Sequence, residues 1–200
     1  MSLQDHTGPK KQEKPRRKAD SRVRRTHERL GSALIELIQE KPIDDVTVQE
    51  VLDRAAVGRS TFYLHFRDKN DLLLSQLEKF LEMMSRALSV RKEESRRVVP
   101  VAELFGHIGS QRKVYRALAE SGRLNDFFDL AQGYFSRGIE QRLRESKRIP
   151  KLPQRELAAR ASALAGSLLS LLRWWLDRGA KEAPRYMDEL FHRIVWNGIQ

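Results

Sequence analysis

The stretch from Thr47 to Leu74, TVQEVLDRAAVGRSTFYLHFRDKNDLLL, restricts this chain more than any other. Thr47 with Glu50 three residues on is a capping box, so a helix starts there. Val48, Val51, Leu52 and Ala55 give that helix an apolar side. Ala56-Val57-Gly58 is the turn, and the next segment, Arg59 to His65, is too short for a core helix. Phe62 and Phe66, at i and i+4, anchor one face of it. That leaves Arg59, Ser60, Thr61, Tyr63 and His65 to turn outward. Two short helices joined by such a turn make a helix-turn-helix, whose second helix enters the major groove of DNA. The outward residue types suit a duplex: Arg for guanine edges, Ser and Thr for phosphate or base, Tyr for phosphate. A plain solvated face is the other reading of the same spacing.

Around this unit the periodicity is helical almost without interruption from Arg22 to Ile199, with no sustained alternation of period two. A first helix over about Ser21–Glu40 carries Leu30, Ala33, Leu34, Leu37 and Ile38 on one stripe, and Pro42 stops it. Asp68 caps a long fourth helix marked by Leu73, Leu77, Phe80, Leu81, Met84 and Leu88. After a charged break at Arg91–Arg97, helices are expected from Val98 to Ser110, Gln111 to Glu120, Asn125 to Glu145, Pro153 to Arg178 and Ala183 to Trp196. Gly122 and Gly179 end two of these. The expectation is an all-α chain of about nine helices.

The run VGRSTFYLHFRDKNDLL resembles the signature of the TetR/AcrR family of transcriptional regulators. Thr61, Tyr63, His65, Phe66, Lys69 and Asp71 fall at the family's offsets, and the likeness extends over roughly residues 22–80. Ala56 stands where the family usually has Gly. The resemblance implies a three-helix DNA-binding domain over residues 20–68, preceded by a tail at 1–19. A long helix then joins it to a ligand-binding and dimerisation domain over 69–200. It also implies a regulator, here expected to be a repressor, that binds a palindromic double-stranded operator as a homodimer and is released by a small molecule. Arg59, Ser60, Thr61, Tyr63 and His65 would meet the operator. Thr47, Gln49 and Lys69 would hold phosphates, and Arg22, Arg24 and Arg25 would extend that contact. The segment from Leu171 to Gly179, with its Trp-Leu-x-x-Gly end, resembles regulators related to the dihydroxyacetone kinase activator.

Charge agrees with a polyanion partner. The net charge is +11, and residues 1–25 hold nine Lys/Arg against three acidic residues. More than half of the excess therefore sits just before the candidate DNA-reading unit. Almost nothing apolar occurs up to Ala19, so that tail is expected to be disordered when free, adding phosphate contacts or serving only solubility. The absence of cysteine removes disulfides and thiol redox chemistry. The most apolar stretch, Ala163–Leu176, is broken by Ser167, Ser170 and Arg173 and is too short to span a bilayer. No membrane is expected as a partner, and a cytoplasmic, nucleoid-associated location is.

Chemistry of other kinds has little footing. Glu103 and His107 lie at i, i+4, and Glu189-x-x-His192 is half of a di-iron pattern, which needs two such pairs and further carboxylates. No cofactor, metal or catalytic residue is expected, and a helical metal enzyme is the remote alternative. Phe105, His107, Tyr115, Tyr134, Arg173 and Trp174 are candidates for a small-molecule pocket, against the ordinary reading of helically spaced aromatics as core. Leu157, Ala161, Leu164, Ala165, Leu168 and Leu172, with Leu190, Phe191 and Ile194, form the expected dimer face; filling the single-chain core is their other use. A regulator whose C-terminal half binds a protein partner, acting without a ligand or as an activator, is the closer alternative.

Overall fold

The computed structural model describes residues 13–89, 97–146 and 150–198, and the side chains within 21–84, 97–146 and 150–197. Over these residues it holds nine α-helices, one 3-10 turn and no strand. The helices are α1 Glu13–Glu40, α2 Val48–Ala55, α3 Arg59–His65, α4 Lys69–Ser89, α5 Val101–Ser110, α6 Arg112–Glu120, α7 Leu124–Glu145, α8 Gln154–Asp177 and α9 Pro184–Gly198. The 3-10 turn is Ile43–Asp45. Helix α1 begins earlier than the expected Ser21, so residues 13–19 are helical rather than part of a tail. The remainder of the tail, and nearly all of the expected break at 91–97, lies outside the described residues.

Leu30, Leu34 and Ile38 of α1 bury their stripe against Val51 and Leu52 of α2, Phe62 of α3 and Leu72 of α4. Burying side chains of this size contributes about 1.5–3 kcal/mol each, enough for so small a unit to hold its shape. The core continues along α4 through Leu73, Leu77 and Leu81 into the C-terminal body. There α7 lies along α8, α5 along α9, and α4 against α7. Helix α1 also touches α6, so the N-terminal unit rests on the body through two helices.

Trp175 pins the body together. Its ring lies 4.9 Å from that of Phe105, and its indole N–H donates to the carbonyl of Glu182 at 3.0 Å. A Cβ on Gly109 would sit 3.2 Å from the indole, so glycine there lets α5 come close to α8. After α8 the chain reverses through two left-handed residues, Gly179 at φ +81° and Ala180 at φ 51°. Their N–H groups donate to Leu176 and Trp175 at 3.0 and 2.8 Å, satisfying the last carbonyls of the helix.

The expected dimer face needs correcting here. Leu157, Ala161, Ala165, Leu168 and Leu172 of α8 and Phe191 of α9 are buried within the single chain. They are its own core, because α7 covers the apolar side of α8. Only Leu164 and Leu190, half-buried, and Ile194, exposed, remain available from that set. The side of α8 left to solvent carries small residues instead: Ala159, Ser162, Ala163, Ser167 and Ser170, with Trp174 at its end.

Candidate nucleic-acid interface

Helix α2 is set by its two ends. Thr47 accepts from the Glu50 N–H at 3.2 Å, and the Glu50 carboxylate takes the Thr47 N–H at 2.9 Å and its hydroxyl at 2.8 Å. The Lys41 ammonium adds a contact to the same carboxylate at 2.7 Å. The Lys41 hydrogen bond first, and the two from Thr47 after it, hold the Glu50 carboxyl down at about 2. At the other end Ala56 takes the left-handed conformation, φ 48° and ψ 52°. Arg29 of α1 donates to its carbonyl at 3.1 Å. The turn that usually has glycine therefore keeps its geometry with alanine, at a cost of about 1 kcal/mol.

Helix α3 follows from Gly58 and is anchored by Phe62 and Phe66, both buried. Ser60, Tyr63 and Leu64, at i, i+3 and i+4, make the opposite face, with Tyr63 51% and Leu64 79% exposed. No acidic residue lies on the helix. Arg59 is exposed at its start, its guanidinium donating to Gln49 Oε1 at 2.8 Å, while the Gln49 amide donates to Asp53 at 2.8 Å. A surface arginine is thus aimed by two residues of the preceding helix rather than left to swing.

Other expected contacts sit differently. His65 is half-buried and turned toward α1, its ring edge-on to that of His27 at 4.8 Å. The reason is helical phase: three residues from Phe62 places it only about 60° from the anchored side. Lys69 is no free cation, since its ammonium donates to the carbonyls of Ile43, Asp44 and Val46 at 2.8, 2.8 and 2.6 Å. It closes the 3-10 turn onto the start of α4. The Thr47 hydroxyl proton goes to Glu50, so a phosphate bond from it would break the capping box. Thr61 is half-buried, whereas Gln49, Ser60, Arg22, Arg24 and Arg25 are exposed. Leu64, whose apolar side chain gives no sign of a DNA contact in the sequence, is the most exposed large apolar residue among those described.

The six pocket candidates do not converge. Phe105 is core against Trp175. Tyr134 lies under Arg137, Arg173 over Phe128 with a hydrogen bond to Asn125, and Trp174 under Arg178. His107 and Tyr115 share a cavity, of about 220 Å³, with Ile35, Gln76, Leu77, Phe80, Gln111 and Val114. Its walls come from α1, α4, α5 and α6, so it lies where the N-terminal unit meets the body. His107 stacks on Phe80 at 4.1 Å, and burial pushes its pKa down. Gln76 crosses against Gly31, where a Cβ would fall 2.2 Å from Oε1; its buried Nε2 has no protein partner.

The acids of the two acid–histidine spacings meet arginines, Glu189 pairing with Arg185 at 3.3 Å. Arg97 joins Glu103 and Asp188, at 2.5 and 2.7 Å. Buried His192 accepts from the Val98 N–H at 3.0 Å and donates through Nδ1 to the Asp188 carbonyl at 2.8 Å. These two bonds require a neutral ring. Among the described residues no group of three or more His, Cys, Asp or Glu is placed to hold a metal. No helix among them is long and apolar enough to cross a membrane.

Comparison with known proteins agrees with this geometry. Residues 32–75 match the family described as bacterial regulatory proteins, tetR family. The HTH-type transcriptional regulator YerO of Bacillus subtilis (strain 168) is 30% identical over 89 residues, 44% of this chain and 31% of that protein. The curated relatives are thus each matched over less than a third of their length. A TetR transcriptional regulator from Streptococcus agalactiae 2603V superposes with a TM-score of 0.60 at 26% identity, over 88% of this chain and 97% of that one. The dihydroxyacetone kinase operon activator DhaS gives a TM-score of 0.69 at 14% identity, over 87% and 96%. That last likeness is one of fold alone. The helix-turn-helix at α2–α3 lies within the stretch that matches the tetR family of bacterial regulatory proteins, and the helical body behind it has the fold of a solved TetR transcriptional regulator.

Proposed function

We propose that this regulator binds a palindromic operator as a homodimer, represses transcription from it, and is released by a small molecule. The observation that carries the reading is the outward face of α3. Its polar side chains are presented without a carboxylate among them, and Arg59 is aimed by Gln49. Reading successive major grooves requires two such helices related by a twofold axis. The solvent side of α8, built of small residues, and Tyr186, Leu190 and Ile194 on α9 offer a surface for a second copy.

The release step rests on the cavity between α1, α4, α5 and α6. It is apolar, with His107, Gln76 and Gln111 as polar anchors, which suits a small, mainly hydrophobic effector with one or two hydrogen-bonding groups. Its volume is below the usual range of about 300–1,000 Å³, so a larger molecule would have to part α1 from α4. Such parting moves the helix that supports α3. To release the operator the effector must prefer the parted state by several kcal/mol.

The test is selection of bound duplexes from a random pool, followed by gel shift across a salt series. An inverted repeat should be enriched by the wild type. Arg59→Ala with Tyr63→Phe should lose that preference while keeping salt-sensitive, sequence-blind binding. Sequence-blind binding by the wild type, or a monomer on the operator in sedimentation, would overturn the reading. A promoter–reporter assay gives the sign of regulation, and a thermal-shift screen gives the effector.

A further inference from the structure

Leu64 is the feature of α3 that contact by charge and hydrogen bond leaves out. It is 79% exposed, well beyond Tyr63 at 51% and Trp174 at 40%. Single exposed leucines are common on protein surfaces; its position distinguishes this one. It lies one position after Tyr63 and four after Ser60, on the centre line of the face opposite Phe62 and Phe66. Arg59 starts the helix and Arg67, paired with Asp71 at 3.7 Å, follows it, both exposed, with no acidic residue between them. An apolar tip in a cationic frame suits a polyanion that carries carbon groups at intervals, and suits an ordinary protein surface poorly.

Duplex DNA meets that description in one way. Of the base edges in the major groove, only thymine presents a carbon group, its 5-methyl; the others present donors and acceptors. We propose that Leu64 reads a thymine methyl in each half-site, as an apolar specificity residue beside Arg59 and Tyr63. This rests on the proposed operator-reading function. The contact pairs one branched side chain with one methyl. It discriminates against cytosine, whose C5 carries hydrogen, and against purines, which place polar atoms there. Leucine brings no hydrogen bond of its own, so all of its preference comes from excluded water and shape.

The experiment replaces each thymine of the selected operator in turn by deoxyuridine, which removes the methyl and nothing else. Binding of full-length wild type and Leu64→Ala is measured on every duplex. One thymine per half-site should weaken the wild type about fourfold on replacement, and about fifteenfold when both half-sites are changed, the effect of one buried methyl-sized group at each. Leu64→Ala should bind the two duplexes alike while melting at the wild-type temperature. If every deoxyuridine duplex affects wild type and variant equally, Leu64 does not read the methyl. If Leu64→Ala alters self-association or capture of another protein but not the deoxyuridine pattern, the exposed leucine serves a protein contact and the proposal is wrong. Failure of the wild type to select any site would instead sink the operator-reading function itself.

Discussion

Helices α3 and α8 use their surfaces in opposite ways. The seven residues of α3 bury one side through Phe62 and Phe66 and give the rest to solvent. The twenty-four residues of α8 bury Leu157, Leu168, Leu169, Leu172 and Trp175 within the same chain, and the middle of its outer side is a strip of alanine and serine. A short helix with two anchors is fixed by its neighbours in sequence. A long helix with apolar residues over much of its circumference has its roles assigned only by what packs on each side.

The contrast can be tested first on stability. Phe62→Ala should cost about 3–5 kcal/mol and abolish operator binding, and Trp175→Ala should cost as much. If the two regions unfold as one, either variant moves a single urea transition; a split transition after Phe62→Ala alone shows that the N-terminal unit melts by itself. Next comes recognition. Arg59→Ala should lose about 1–3 kcal/mol of specific binding with unchanged melting. Gln49→Ala should lose a smaller part of the same energy, about 0.5–1.5 kcal/mol, by freeing the guanidinium. A loss as large for Gln49→Ala would mean that Gln49 itself meets the operator. On the α8 side, Ile194→Asp should leave the monomer folded and shift sedimentation toward single chains. Persistence of the dimer would place the partner surface elsewhere.

A smaller effect concerns the turn. Ala56→Gly should stabilise by about 1 kcal/mol, read as a higher urea midpoint, by relieving the left-handed alanine. The pH dependence sharpens the body side. Burial is the main cause that holds the His192 pKa below its ordinary 6.5. The unfolded chain therefore takes a proton before the folded one does. Stability contributed here is present in full above the ordinary histidine value and is lost as pH falls below it toward the folded value. His192→Gln, keeping an acceptor for Val98, should flatten the urea midpoint over that window; an unchanged slope would assign it to His27 and His107, whose pKa values are also pushed down by burial.

Features set by close neighbours in the chain are legible in the sequence. Thr47 and Glu50 cap each other across three residues, Pro42 and Gly179 end their helices, and Phe62 and Phe66 share a side whatever the rest of the fold does. The C-terminal helix ends follow from the same punctuation. What the sequence hides depends on long-range neighbours. His65 belongs with His27, far off in the chain, and Lys69 with three carbonyls near residue 45. Nothing local marks a lysine as taken. The leucines of α8 are equally fit by pattern for a partner or for α7, and only the packed chain separates those uses. The pocket candidates share residue type alone, and most of those aromatics have arginine or aromatic neighbours on separate elements.

The three bonds from Lys69 have a mechanical consequence. Helix α4 is about 31 Å long, with the cavity residues Gln76, Leu77 and Phe80 partway along and Lys69 at its first turn. Because that ammonium grips the Ile43–Val46 backbone, the head of the rod is bolted to the small unit instead of hinged to it. A tilt of α4 by about 10° around the cavity would swing Lys69 by roughly 2 Å. The helix pair α2–α3 would travel with it as a rigid block. In the proposed dimer, an effector would then alter the spacing between two reading heads without altering the shape of either.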